Sequence, residues 1–399
     1  MKKILLALAS IGCLVACNNG SQATTSNSTV QSLSESEMNN VTNDLPTAKV
    51  TYLYESMLPI SAQQCFHKLP MYTSNLTAVN NNGVVAGSLL VGDDCLQHGY
   101  LWDAKKNTFE IIPFPTLTGN YTTIVGSRIS SLSTNLVTGG ITFTDPNVPG
   151  NHEYATYNNY FSPWVMLGWN YVFGVSEDGK YVVGSNFAGQ PLLWDVINNQ
   201  SIALTISGNP ILRSMLSSVS NNGIVAAQLS QNGYTNSLIC KASTGTCEIV
   251  DGGKEMGYDS YLNSITHDGR FAYGWQRNGS GTHLYKLNVQ TNQISLLIDN
   301  YYIPIVQNPD SGVLVVHSIN DDYPSIYVES SNKVYLLQDL LDKLHISSQN
   351  IALSSIRISP NSKYLTFDVT EYANQLFGVK IYFPLGIATY LNNNLTAHK

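Results

Sequence analysis

Charge is scarce in this chain. Only 12% of its 399 residues are Asp, Glu, Lys or Arg, and 20 Lys and Arg face 27 Asp and Glu. There is no basic run, which excludes a nucleic-acid partner, because phosphate neutralisation needs clustered cations. Gly-x-Ser-x-Gly, His-Glu-x-x-His and a phosphate-binding glycine loop are all missing. No nucleophile elbow, zincin helix or nucleotide cradle is therefore encoded. No Cys-x-x-Cys or Cys/His ligand spacing occurs, so no metal site and no cofactor are expected. Helical periodicity is absent, and no apolar run is long enough to cross a bilayer.

What the chain has instead is a repeat. Ala78 to Gly87, with Asn80-Asn81-Asn82-Gly83 at its turn, leads to Gln97-His98-Gly99-Tyr100-Leu101-Trp102-Asp103 and then to Asn107-Thr108-Phe109-Glu110. Short β-rich runs separated by Asn-Gly or Asp-Gly read as hairpins. The pattern returns at Glu177-Asp178-Gly179, Asn221-Asn222-Gly223 and His267-Asp268-Gly269, with weaker copies opening at Leu132, Val306 and Ile358. Counted from Val79, Leu132, Val175, Val219, Ile265, Val306 and Ile358, the units are 41 to 53 residues long. That period has room for four short strands and matches a β-propeller. The expected fold is all-β, a propeller of four-stranded blades, with seven blades; six or eight stay open. Four strands cannot bury both faces alone, whereas blades packed in a ring can.

The run Ala-x-Asn-x-x-Gly-x-Val-x-Gly followed by His98-Gly99-Tyr100-Leu101-Trp102 resembles the bacterial extracellular HAF repeat. The late segments Leu336 to Leu341 and Ile358-Ser359-Pro360-Asn361-Ser362-Lys363-Tyr364-Leu365 resemble the endings of such proteins. The second is also similar to the Ser-Pro-Asp-Gly-Lys repeats of TolB-like periplasmic propellers, with Asn361-Ser362 in place of Asp-Gly. The resemblance spans roughly Val79 to Phe383. It implies a secreted propeller and carries no catalytic residues.

The N-terminus is read from its composition. Met1-Lys2-Lys3 precedes an apolar stretch, Ile4 to Ala16, as in a secretory signal. Leu14-Val15-Ala16-Cys17 resembles the bacterial lipobox, which implies cleavage after residue 16 and lipidation of Cys17. Two acyl signals anchor stably. Asn18 after the Cys, by analogy with enteric bacteria, favours the outer membrane. Residues 17–46 read as a lipidated Cys and a flexible Asn/Ser/Thr-rich tether. Residues 47–391 are the propeller, and 392–399 a frayed tail. Thr47 to Leu58 reads as a strand completing the last blade against Val379 to Phe383.

Without Cys13 and Cys17, four cysteines remain. Cys65 and Cys95 flank the first repeat and are expected to pair, tying the preceding segment to the first blade. Cys240 falls at the position of Trp102 and Cys247 at that of Phe109, so the two should oppose each other across antiparallel strands and form a disulfide.

His98 and His283 align without a gap, and His152 lies near the same place. Blade rotation separates such residues too far to share a metal, so they are expected to start third strands and bond a neighbouring loop. Glu177-Asp178 sits in a repeat turn, where Asp is favoured. Ser176-Glu177-Asp178-Gly179 is similar to the sialidase Asp-box, but Lys180 breaks its spacing. Around Gly150 to Phe173, eight aromatics cluster, most as blade packing. Tyr157, Tyr160, Phe161 and Trp164, at or beside the connection 158–163, form a candidate binding patch.

The function expected is a membrane-anchored envelope or surface lipoprotein whose propeller is a protein- or glycan-binding scaffold, more a binder than an enzyme. One alternative is a propeller hydrolase or lyase for envelope or host glycans, which needs carboxylates or His converging at one mouth of the channel. The other is a structural component of an envelope assembly, as the TolB-like resemblance implies.

Overall fold

One turn design recurs along the chain. Asn80 Oδ1 accepts the Val84 N–H at 3.0 Å, Ser176 Oγ the Tyr181 N–H at 2.9 Å, Ser220 Oγ the Ile224 N–H at 2.9 Å and Ser359 Oγ the Tyr364 N–H at 3.0 Å. Each side chain clamps the tight turn between a first and a second strand. Asn107, Asn199 and Asn292 take positive φ in the corresponding outer turns. Asn tolerates that region because its short amide bonds locally. These devices give antiparallel meanders, one after another.

The computed structural model describes residues 48–398 apart from 69–74, 94, 115–122, 146–147, 160–164, 168–170, 186–189, 212–213, 232, 251–258, 280, 304–309, 321–322, 348–354 and 372–375. All described residues lie in the unit Asp44–Lys399. The first meander comprises Asn75–Val79, Val84–Val91, Leu96–Asp103 and Thr108–Ile111. Others follow over 123–166, 171–203, 214–249, 259–299, 301–336 and 357–382. The leading residues of the repeats, Val79, Leu132, Val175, Val219, Ile265 and Ile358, are each the last residue of a first strand; Val306 lies outside the described residues. Hydrogen bonding groups the strands into six sheets among the described residues. The eight-stranded one consists of two meanders joined by a single parallel bridge, Gln97 to Gly126.

The meanders close into a ring, an all-β propeller. Asn75–Val79 packs on Thr123–Leu132, which packs on Tyr171–Val175, then on Ser214–Val219 and Asp259–Ile265. Tyr301–Tyr302 packs on the meander before it, and Arg357–Ile358 touches both Val313–Ser318 and Asn75–Val79. Apolar clusters fill the gaps between neighbours, such as Val183 and Leu193 with Leu216, Val225 and Leu238. This packing explains why no strand needs to be apolar on both faces of a free sheet.

Among the described residues, the seam between the two ends of the chain is rich in buried polar contacts. Lys49–Tyr54 is the outermost strand of the last sheet, antiparallel to Leu376–Tyr382, with Val50 opposite Ile381. Asp368 Oδ1 accepts the Leu76 N–H at 2.8 Å, and Arg357 Nε donates to Thr77 O at 2.7 Å. Lys380 Nζ donates to Gly83 O at 2.9 Å and lies 5.5 Å from the Trp102 ring centre. Gly83, at φ +78°, is required here, because a Cβ would meet the Tyr364 ring at 2.6 Å.

Burial pulls the Lys380 ammonium down to about 8. The folded state therefore binds this proton less tightly than the unfolded chain, and stability should rise as pH climbs from about 8 toward the ordinary lysine value. A Lys380→Met variant is expected to lose that rise. The difference between the two proteins should change by about 1 kcal/mol per pH unit across the window. Parallel urea-unfolding profiles for the two proteins at pH 8 and pH 9.5 would contradict it.

Among the described residues, three α-helices accompany the sheets. Ile60–Lys68 carries Cys65, bonded to Cys95 with Cα atoms 5.3 Å apart. Leu337–Lys343 follows the sixth meander. Ile387–Asn394 corrects the expectation of a frayed tail over 392–399. Its Ile387, Tyr390 and Leu391 are buried with Leu340, Leu341 and Leu344. Asn392 accepts the Tyr335 hydroxyl at 2.6 Å, and the His398 N–H donates to Val334 O at 2.8 Å. The polar run Asn392-Asn393-Asn394 hides an apolar i, i+3, i+4 stripe that begins earlier. The strand expected over Thr47 to Leu58 is also shorter, giving way at Glu55–Met57 to a 3-10 turn.

Candidate functional site

The repeat turns meet around one mouth of the ring and bond to one another. Asn80 Nδ2 donates to Ser133 O at 3.2 Å, Thr134 N–H to Glu177 O at 3.3 Å and Asp178 N–H to Asn221 Oδ1 at 3.1 Å. Asn221 N–H donates to His267 O at 2.8 Å, and His267 N–H to Asp310 Oδ1 at 2.7 Å. Ser311 and Ser362 share a hydroxyl contact. Asn361 closes the circuit by donating to Asn81 Oδ1 at 2.7 Å and to Asn81 O at 3.0 Å. The second residues Asn81, Thr134, Glu177, Asn221, His267 and Asp310 all take part in this circuit.

Three of these second residues are Glu177, His267 and Asp310. Glu177 is buried. Its Oε1 accepts the Thr134 hydroxyl at 2.9 Å, and the Asn81 N–H also bonds the carboxylate. Burial pushes its carboxyl above the ordinary range. His267 Nδ1 is 2.6 Å from Asp310 Oδ2, while its Nε2 faces Glu177 Oε2 at 3.9 Å. Both of those facing atoms are enclosed and have no hydrogen-bond partner. An imidazole is thus held between two carboxylates from three different meanders. Asp310 orients the ring, as in an acid–His relay, but the free edge points at the enclosed Glu177 carboxylate.

Beside this cluster opens a groove of about 710 Å³ between the meanders 259–299 and 301–336, with His267 and Asp310 on its wall. Its floor is built from paired strands: Tyr273 lies opposite Lys286. Lys286 Nζ contacts Glu329 Oε1 at 2.6 Å, and the Tyr273 hydroxyl donates to Glu329 Oε2 at 2.6 Å. Burial, aided by that carboxylate, raises the Tyr273 phenol well above its ordinary value, so it stays a donor. Lys286 Nζ also lies 4.0 Å over the Phe271 ring, a cation–π contact. Arg270 pairs with Asp268 at the rim. A second cavity of about 450 Å³, between Met57, Trp102 and Phe109, carries no titratable lining residue.

The residues singled out from the sequence fall elsewhere. Cys240 and Cys247 are bonded, directly opposed across their strands with Cα atoms 3.9 Å apart. Trp102 faces Phe109 in the same register. His98 and His283 are each the third residue of a third strand. His98 stacks on Phe114 at 3.9 Å, and His283 Nδ1 bonds Asp299 at 2.6 Å. No group of three metal-ligating side chains occurs among the described residues. Of the aromatic patch, Tyr157 lies within a strand, opposite Thr138 and Val165. Tyr160, Phe161 and Trp164, like Cys17, lie outside the described residues. In the sequence alone, Glu177 and His267 read as turn residues and nothing more. Their shared second position in the turn is the available signal, and it becomes meaningful once the ring closes.

No family model matches the chain, and no curated protein does. Among solved structures, it is similar to an oligogalacturonate lyase from Vibrio parahaemolyticus, with TM-score 0.49 and 10% identity over 85% of this chain and 97% of that one. An oligogalacturonate lyase in complex with manganese gives TM-score 0.49 and 12% identity over 86% and 95%. TolB from Acinetobacter baumannii gives 0.41 and 13% over 75% and 79%. Likenesses at this level transfer neither activity nor ligand. The chain's own sheets, register and closing seam make it an all-β propeller.

Proposed function

We propose that this protein is a lipid-anchored bacterial envelope protein whose propeller is a scaffold for binding a protein or a glycan. Counting the eight-stranded sheet as two units, since one bridge alone joins them, supports a reading of seven blades. The anchor is supported by Leu14-Val15-Ala16-Cys17 and the polar segment behind it. Asn18 supports the outer membrane. The HAF-repeat likeness rests on the repeats themselves.

One observation carries the binding reading. The groove is open and its charges are already paired, while the free Nε2 edge of His267 beside it is enclosed against Glu177. A general base must reach the proton it takes. His267 Nε2 faces a buried carboxylate instead of the groove. The second reading, a hydrolase or lyase acting on glycans, draws support from the convergence of Glu177, His267 and Asp310 at one mouth, and that enclosure weighs against it. Membership of an envelope assembly is compatible with the same scaffold.

Two variants of the full chain test the proposal. Cys17→Ser is expected to leave the membrane fraction and lose fatty-acid labelling; membrane retention with full processing would sink the anchor. Ser330→Trp fills the groove at an exposed position. It is expected to abolish capture of the ligand that the wild-type chain retains from envelope extract. Equal capture by both would mean that binding occurs elsewhere.

A further inference from the structure

We infer that the groove takes a short, uncharged oligosaccharide. This rests on the binding reading above and names the ligand class of that same groove. Its lining carboxylates, Asp268, Asp310 and Glu329, outnumber its cations, Arg270 and Lys286. An anionic ligand therefore meets net repulsion, and binding one would also break existing ion pairs.

A cationic ligand gains little from these carboxylates, because every one of their oxygens already has a partner. Asp268 accepts from the Thr266 hydroxyl at 2.7 Å and the Arg270 N–H at 2.9 Å, and its other oxygen pairs with Arg270 Nε. Both Asp310 oxygens are taken by His267, and both Glu329 oxygens by Lys286 and Tyr273. What the groove still offers is donors: the remaining N–H groups of Arg270 and Lys286. Beside them are the half-buried Phe271 ring and the Ser330 hydroxyl. A ligand that supplies neutral oxygen acceptors on a ring with an apolar face satisfies both at once. Pyranose hydroxyl and ring oxygens do so, and the C–H face of the sugar can lie against the exposed part of the Phe271 ring beside Lys286. A volume of about 710 Å³ lies within the range of small-molecule sites.

Isothermal titration of the full chain in detergent micelles tests this. The probes are maltohexaose, cellohexaose and N-acetylchitohexaose, with hexagalacturonate as the anionic counterpart. At least one neutral hexasaccharide is expected to bind about tenfold more tightly than hexagalacturonate. Arg270→Ala and Phe271→Leu should each weaken that binding roughly fivefold or more. Lys241→Ala, on a different meander, should leave it unchanged. Tighter binding of hexagalacturonate overturns the inference, and so does sugar binding indifferent to both groove variants. If no neutral sugar binds but the envelope ligand is still lost with Ser330→Trp, the inference fails and the scaffold reading stands. Absence of any ligand whose binding depends on the groove overturns both.

Discussion

Asp368→Ala is expected to lower the stability of this protein by about 1–3 kcal/mol, the usual cost of leaving a buried donor without its acceptor. Asp368 is 4% exposed, burial pushes its carboxyl up to about 8, and the half-buried Arg357 lies near it. Without that side chain the Leu76 N–H loses its buried acceptor, and Arg357 loses a neighbouring carboxyl. The damage falls where the last meander meets the first, so the ring should open there. Asp368→Asn keeps an oxygen for Leu76 and should cost less than the alanine variant. Urea unfolding of the three proteins gives the comparison. A loss below about 1 kcal/mol for the alanine variant would mean that the seam is not held by this carboxyl.

The second large effect is expected from Cys65→Ser combined with Cys95→Ser. The bridge spans 30 residues, and removing it frees a loop of that length in the unfolded chain. The chain-entropy model puts the loss at about 3–4 kcal/mol. It also frees Ile60–Lys68, a short helix that would be marginal alone. Removing Cys240 and Cys247, only 7 residues apart, should cost less, about 2–3 kcal/mol. Denaturant midpoints of the two double variants under non-reducing conditions rank them. The reverse order would show that cross-strand packing at Cys240 matters more than loop length.

The repeat is legible in the sequence because its signals are local. Gly83, Gly179, Gly223 and Gly269 mark turns that favour a positive φ, and the apolar runs between them alternate as strands do. Repeat alignment alone sets Cys240 against Cys247 and Trp102 against Phe109, and the strands pair in that register. The helix Ile387–Asn394 is not legible in the same way. Its three buried residues are spaced among Ala, Thr and Asn, and what stabilises it is a surface supplied by Leu340 and Leu341, about 50 residues earlier.

The sequence by itself determined the blade: four short strands, a polar clamp at the first turn, an opposed pair at the outer turn. It also determined which N-terminal residues complete the last sheet, because Val50 and Tyr52 alternate to match Val379 and Ile381. Only the tertiary structure decided the candidate site. Glu177, His267 and Asp310 lie 90 and 43 residues apart in the chain, and no spacing rule connects them. They meet because ring closure carries equivalent turn positions to one mouth. The groove beside them has the same origin, since Phe271 and Glu329 belong to separate meanders that touch only once the ring has formed. Local hydrogen bonding and side-chain alternation specify a blade; the polar surfaces between blades depend on contacts whose long-range pairing no local pattern encodes.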